Sequence, residues 1–233
     1  LLQQSLYFAH LDGVARSLGR SLMDPEIKLK SHFTVTDLED LTKENLELIF
    51  QKGFTSLKLK MGREPKAEAQ ALKLKAPLLE PFKLRLDFNG AGYEDFIKEM
   101  KGHVLCSHIE LVEDPSAYSP SDWQKLQKEF SIPLYVDQAA GSLENQEIPF
   151  PRVIKPARQN YELRERDIIT NSMDHPVGQS FAAWYAQQAL KGETQSLDFG
   201  LQTSHLFEPN AFFQEIESES CYFKVSEGLG IGF

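Results

Sequence analysis

Short apolar segments alternate with amphipathic segments along most of the chain. Eight apolar runs predict β-strands, at 31–35, 56–60, 83–90, 108–115, 133–138, 152–156, 167–170 and 196–201. Between most of them the apolar residues recur with a helical period, most clearly in 41–53, 64–76, 94–100, 119–130 and 176–190. Strands that alternate with helices are typical of parallel βαβ units.

The number of these units predicts a barrel. Eight βα units close into a barrel of about 250 residues, and the chain has 233. The expected fold class is therefore α/β, a TIM-type barrel. An amphipathic helix predicted over 5–22 precedes the first strand and belongs to no βα unit. The connection 138–151 lacks a strong helical period, and the connection 155–167 has room for only a very short helix.

Charged residues stand where the predicted strands end. The second to sixth predicted strands carry Lys60, Asp87, Glu113, Asp137 and Lys155 at or near their carboxyl ends. In this barrel the carboxyl ends of the strands form one mouth, and active sites lie there. We therefore expect the five side chains to meet in one pocket.

The three carboxylates, on neighbouring strands, indicate a metal site. They cannot share a pocket in ionised form without a cation. Oxygen ligands without His or Cys favour Mg²⁺, and Mn²⁺ suits the same ligands. Lys60 and Lys155 flank the site from opposite sides, which suits proton removal next to a substrate carboxylate. A divalent cation stabilises the negative charge of the enediolate that results.

Lys58 lies on the same strand face as Lys60. A base must be neutral, whereas a free lysine, with a pKa of about 10.4, is mostly protonated at neutral pH. A second ammonium beside Lys60 disfavours its charged form, so we expect Lys60 to be the base and Lys58 to tune it. A Lys-x-Lys pair alone is usually a solvated strand edge, and the charges on the other strand ends favour the catalytic interpretation.

Two nearby acids are left out of the metal set. Asp114 follows Glu113 but points the other way along a strand, and we expect it to cap a helix. Glu110 fits the alternation of Glu113 less well, and we expect it at the surface or at the bottom of the barrel.

Composition restricts the partners. The net charge is −9, without a basic stripe, which argues against nucleic-acid binding. No apolar run approaches the roughly 20 residues of a membrane span. Two cysteines, Cys106 and Cys221, form no disulfide framework and favour the reducing cytoplasm. The expected partner is a small-molecule carboxylate substrate, and the oligomeric state stays open.

Five motifs in order, KLK (58–60), DFN (87–89), VEDP (112–115), VDQ (136–138) and IKP (154–156), resemble those of the enolase superfamily in its muconate-lactonizing subgroup. The resemblance implies a (β/α)7β barrel at 31–233, preceded at 1–30 by the last helix of an N-terminal capping domain whose remainder is absent. It also implies site residues: metal ligands Asp87, Glu113 and Asp137, Asn89 supporting them, and acid/base residues Lys60 and Lys155.

Within this subgroup the chain most resembles the o-succinylbenzoate synthases of menaquinone biosynthesis, through 170–179 at the end of the seventh predicted strand. The resemblance implies that Ser172, Met173 and Asp174 contact the substrate. The implied enzyme is a hydro-lyase that converts 2-succinyl-6-hydroxy-2,4-cyclohexadiene-1-carboxylate to o-succinylbenzoate by syn-dehydration. Lys60 would remove the α-proton and protonate the leaving hydroxyl, and Lys155 would stay charged and stabilise the enediolate.

Two alternatives stay open. The same pocket suits a 1,1-proton transfer, as in N-acylamino-acid racemases and dipeptide epimerases. A dipeptide epimerase is expected to carry an Asp-x-Asp motif on its last strand, whereas 196–204 has Asp198 alone. The second alternative is a non-catalytic barrel that binds an anion through its lysines, needs no magnesium and tolerates the loss of Asp87 or Glu113.

Overall fold

The computed structural model describes residues 2–138, 148–158, 162–190, 197–217, 219–225 and 227–233. The chain divides into two compact units. We call Phe33–Val153 the central unit, and Leu1–His32 together with Ile154–Phe233 the terminal unit. The predicted division into a capping-domain helix at 1–30 and a barrel at 31–233 stays a prediction.

The central unit is built around a five-stranded parallel sheet whose strands are neighbours in chain order. The strands are β1 Phe33–Val35, β2 Ser56–Lys60, β3 Lys83–Asp87, β4 Ile109–Glu113 and β5 Leu134–Tyr135. Helices follow each of the first four strands: α2 Lys43–Gln51, α3 Pro65–Leu74 with α4 Ala76–Leu79, α5 Tyr93–Met100 and α6 Pro120–Phe130. The alternation of strands and helices is thus the predicted one in this unit.

Local sequence explains where these elements begin and which side they bury. The helix α2 begins after Thr42, whose hydroxyl accepts a hydrogen bond from the Asn45 N–H at 3.2 Å. In β2, Leu57 and Leu59 are fully buried on one face, and the lysines lie on the other because successive side chains alternate. The sheet is therefore held by its apolar face while its other face carries charge.

The terminal unit holds the remaining elements: α1 Leu2–Ser17, β7 Ile168–Ile169, α7 Pro176–Leu190 and α8 Ala211–Ile216. The strand β6, Val153–Ile154, begins on the last residue of the central unit and pairs with β7. Aromatic and aliphatic side chains form the core of this unit, with the rings of Phe8 and Phe181 stacked at 4.2 Å between centroids.

Two predicted elements of the terminal unit differ from the structure. The first helix, predicted over 5–22, ends at Ser17 because Gly19 adopts a positive φ of 63° that stops the helix. The eighth predicted strand, 196–201, appears only as single bridges of Phe199 and Gly200, and its first residue lies outside the described ranges. The hydroxyl of Ser31 accepts the next N–H groups along this segment, so they do not extend a ladder.

Other predictions fall partly outside the described residues. The helix α8 was not predicted, because six residues are too few for a clear helical period. In the connections 138–151 and 155–167, residues 139–147 and 159–161 lie outside the described ranges, and the rest of both connections carries no helix.

The C-terminal segment 227–233 contacts α1 beside Gly230. The Ile231 N–H donates to Asp12 Oδ1 at 2.8 Å. Gly230 has a φ of 62°, and a Cβ atom there would lie 2.0 Å from the same oxygen. A side chain at this position must therefore displace Asp12 and adopt a strained backbone.

We expect Gly230→Ala to lower the free energy of unfolding by roughly 1–3 kcal/mol. Gly13→Ala is the matched control, since a Cβ on this α1 residue meets nothing within 4 Å, and we expect it to stabilise by up to about 1 kcal/mol. Urea denaturation of both variants measures the difference. Equal effects would show that the contact with Asp12 does not hold the C-terminal segment.

Candidate active site

The register of the central sheet lines up charged side chains from three strands. Lys60 is opposite Asp87, and Asp87 is opposite Glu113. Residues paired in this way in a parallel sheet point to the same face, so the three side chains form one row at the carboxyl ends of β2, β3 and β4. Asp137 lies two residues beyond β5, next in the sheet.

The carboxylates of this face are deeply buried. Asp87, Glu113 and Asp137 are 0%, 1% and 6% exposed, and each offers an oxygen within 4.8 Å of the others. Buried carboxylates so close together need cations to compensate them. Three oxygen donors without nitrogen or sulfur fit a hard divalent cation, so the donor set is that of a divalent-metal site.

Two lysines neutralise part of this charge. Lys60 Nζ lies 2.5 Å from Asp87 Oδ2. Lys58 Nζ lies 2.5 Å from Glu113 Oε2 and 3.0 Å from the same Asp87 oxygen. Both ammonium groups therefore meet at one carboxylate oxygen, which fixes them beside each other.

The pKa values in this cluster reflect burial and mutual charge. Burial by itself lowers the pKa of Lys58, but Glu113, Asp87 and Asp137 outweigh it and raise the pKa well above its usual value. Burial raises the pKa of Asp87, whereas Lys58 and Lys60 together bring it far below the usual value. For Glu113, burial outweighs Lys58, and its pKa is raised. Lys58 is thus an ammonium, the form that the predicted tuning role requires; the role itself stays a prediction.

Asn89 lies beside the carboxylates. Its backbone N–H donates to Asp87 Oδ1 at 3.3 Å, and its side-chain oxygen accepts from Gln138 Nε2 at 3.3 Å. Asn89 thus contacts the predicted ligand Asp87 directly, and it also contacts Gln138, the residue after the predicted ligand Asp137. This placement suits a residue that orients the ligands.

The prediction that Asp114 caps a helix is wrong. The residue before α6 is Ser119, whereas Asp114 accepts from the backbone N–H groups of Asp137 at 3.0 Å and Gln138 at 2.9 Å. Asp114 has a φ of 44°, so its side chain leaves the alternation of β4 and reaches the end of the next strand. Asp114 therefore fixes the backbone that carries Asp137.

We expect Asp114→Ala to weaken divalent-cation binding by about 10- to 100-fold, because residues that orient ligands typically contribute that much. Titration calorimetry with Mn²⁺ measures the affinity. Asp95→Ala, at an exposed position on α5, is the control for the lost charge. An Asp114→Ala protein that binds Mn²⁺ as tightly as the control would show that Asp137 needs no such support.

Lys155 belongs to the terminal unit and directly follows β6. The adjoining loop is anchored by α1, since the buried Gln4 donates from Nε2 to the Pro156 carbonyl at 3.0 Å. The predicted role of Lys155 as the second acid/base residue stays a prediction.

The predicted substrate-binding residues form the turn between β7 and α7, also in the terminal unit. Met173 is exposed with a φ of 53°, and its N–H donates to Asn171 Oδ1 at 2.7 Å. Ser172 Oγ and Asp174 Oδ1 are buried and accept no hydrogen bond from the described residues. Burial raises the pKa of Asp174. Buried polar atoms of this kind suit a ligand-binding turn, and the contact with substrate stays a prediction.

Sequence reasoning missed Asn171 in this region. Its Nδ2 donates to the Leu201 carbonyl at 2.9 Å, and its Oδ1 accepts from Thr203 Oγ1 at 3.2 Å. Asn171 thus joins the turn to the segment after Gly200. The sequence signal that could have indicated Asn171 is a polar side chain directly after a predicted buried strand.

The chain is similar along its whole length to a protein of known name. No protein-family profile matches the chain. An o-succinylbenzoate synthase of Bdellovibrio bacteriovorus is 29% identical across 100% of this chain and 74% of its own length. The predicted resemblance to these synthases is thereby confirmed.

Solved structures share the fold. The muconate lactonizing enzyme of Pseudomonas putida has a TM-score of 0.70 at 16% identity, over 97% of this chain and 70% of that chain. An enolase-superfamily member of Enterococcus faecalis has a TM-score of 0.70 at 19% identity, over 97% and 67%. This chain covers 62% of the length of a mandelate racemase/muconate lactonizing protein from Herpetosiphon aurantiacus. The predicted fold class is confirmed. The relative from Bdellovibrio bacteriovorus supports an enzyme, and the carboxylate cluster of this chain fits a divalent-metal site.

Among the ranges that the structure describes, no helix combines the length and the apolar character needed to cross a bilayer.

Proposed function

This chain has the fold of the enolase superfamily, and on that premise we propose that it is a magnesium-dependent o-succinylbenzoate synthase. The observation that carries the proposal is the position of Lys60, whose Nζ lies 2.5 Å from a carboxylate of the Asp87, Glu113 and Asp137 cluster. A base beside a divalent-metal site is what proton removal next to a carboxylate requires. The match to a synthase along the whole chain supports this substrate class.

Lys60 and Lys155 have different roles in the proposed reaction. Lys60 Nζ removes the proton from the ring carbon that carries the carboxylate. The same ammonium then gives this proton to the hydroxyl on the neighbouring carbon, the C–O bond breaks, and water leaves as the ring becomes aromatic. Lys155 stays charged and stabilises the enediolate.

The three carboxylates hold the metal in this proposal. Mg²⁺ bound by Asp87, Glu113 and Asp137 would stabilise the negative charge that develops on the substrate carboxylate, and Mn²⁺ would substitute for it. Lys60 suits the reacting side because its side chain is 24% exposed, whereas that of Lys58 is 8% exposed. The ammonium of Lys58 disfavours the charged form of the neighbouring Lys60.

The test is an ultraviolet assay of the purified protein with the cyclohexadiene substrate and Mg²⁺. We expect loss of the diene absorbance and formation of the aromatic product, both abolished by a chelator and restored by added Mg²⁺. Turnover that persists in the chelator would rule out the metal. We place the reaction in menaquinone biosynthesis and in the cytoplasm, in keeping with the low cysteine content.

Two other outcomes separate the alternatives. Deuterium exchange into N-acylamino acids or dipeptides without dehydration would identify a racemase or epimerase at the same site. Binding of the carboxylate substrate without either reaction, and without any dependence on Mg²⁺, would identify a non-catalytic anion-binding protein.

A further inference from the structure

One irregularity interrupts the central sheet directly below the carboxylates. Leu84 of β3 is opposite Ile109 of β4, but the next residue, Arg85, is opposite Leu111. Glu110 therefore has no partner in β3 and forms a β-bulge. Bulges are common beside active sites, where they redirect side chains.

The bulge decides which residue of β4 stands beside Asp87. With the extra residue, Asp87 is opposite Glu113. Without it, β4 would be one residue out of step and Asp87 would be opposite Val112. A slip of one residue turns every side chain to the other face of the sheet, so Glu113 would point away from the metal site.

An ion pair holds the bulged residue. Glu110 Oε2 accepts from Arg85 Nε at 2.6 Å, and Glu110 Oε1 accepts from Lys83 Nζ at 3.2 Å. Arg85 is 0% exposed and occupies the same face of β3 as Asp87, two residues before it. Burial raises the pKa of Glu110, but Arg85 and Lys83 outweigh burial, so the residue stays ionised.

We propose that Glu110 is a positioning residue for the divalent cation: its ion pair with the buried Arg85 holds the bulge that brings Glu113 beside Asp87. The inference rests on the metal site of the proposed function but not on the identity of the substrate. Glu110 itself does not coordinate the ion. Its loss acts on cation affinity through the position of Glu113.

The test measures Mn²⁺ affinity by titration calorimetry, alongside the melting temperature without metal. We expect Glu110→Gln to raise the Kd for Mn²⁺ by about 10- to 100-fold, the range typical of residues that orient metal ligands. Glu94→Gln, which removes the same charge from an exposed pair on α5, should leave the Kd unchanged within about twofold.

A second variant distinguishes an effect on the position of Glu113 from the effects of a changed net charge and of a folding defect. Glu110→Leu combined with Arg85→Leu removes a matched pair, which keeps the net charge and leaves no unpaired buried ion. We expect this double variant to fold and still to bind Mn²⁺ more weakly than the wild type. Wild-type affinity in the double variant would overturn the proposal and show that the pair serves only stability.

The remaining outcomes are also decisive. Glu110→Gln with a lower melting temperature but an unchanged Kd would overturn the proposal while leaving the proposed function intact. A wild-type protein that does not bind Mn²⁺ would overturn both. Weaker Mn²⁺ binding by Glu110→Gln in a protein that performs another reaction of the superfamily would support this proposal and contradict only the proposed substrate.

Discussion

We expect replacement of Lys60 by alanine to abolish turnover and to leave the protein folded. A general base and acid typically contributes about 10²- to 10⁴-fold to the rate, and Lys60 is proposed to serve as both in one cycle. We therefore expect the dehydration rate to fall by at least about 10³-fold. The measurement is kcat in the ultraviolet assay at saturating substrate and Mg²⁺.

The fold should survive because Lys60 is partly exposed and Asp87 keeps its contact with Lys58 at 3.0 Å. Circular dichroism melting of Lys60→Ala tests this directly. Lys98→Ala, which removes an exposed lysine from α5, is the control and should keep wild-type kcat. If Lys60→Ala retained substantial activity while folded, Lys60 would not be the base.

The second large effect concerns Asp87, which touches both lysines and belongs to the carboxylate cluster. Asp87→Asn keeps the shape but removes one of three anionic ligands, so we expect divalent-cation binding to be lost and turnover with it. A ligand at 100 times its Kd stabilises a folded protein by about 2.7 kcal/mol. The wild type should therefore melt at a higher temperature in excess Mg²⁺, and Asp87→Asn should not.

Stability without metal distinguishes this result from unfolding. In Asp87→Asn, Lys58 keeps Glu113 as its partner at 2.5 Å, so the buried ammonium stays compensated. Asp95→Asn on the exposed side of α5 should behave as the wild type in both measurements. A normal Mg²⁺-dependent rise in the melting temperature of Asp87→Asn would place the cation elsewhere.

The alternation of apolar and polar residues was sufficient to predict the central sheet and the cluster of carboxylates at its edge. A strand turns its side chains with a period of two, and the carboxyl ends of parallel strands lie at one edge. Charged residues at successive strand ends therefore had to converge, whatever the details of packing. This rule alone predicts that Asp87, Glu113 and Asp137 lie close together. The alternation alone predicts that Lys58 and Lys60 share one face of β2.

The same rule is wrong where the backbone departs from regular strand geometry. Asp114 has a left-handed backbone, and its carboxylate reaches the N–H groups of Asp137 and Gln138, more than twenty residues away. Its predicted helix cap was the usual local reading of an Asp after a strand. The true partner depends on which strand end lies next to it.

Glu110 shows the limit most clearly. A single sequence signals a strand over 108–115 but not the residue at which an extra position enters, because register depends on the pairing of two strands. The sequence by itself determined which residues could form a metal site and a base. Only the tertiary structure decided how these residues are held in register, since Arg85, Glu110, Asp114 and Asp137 act through contacts between strands that are distant along the chain.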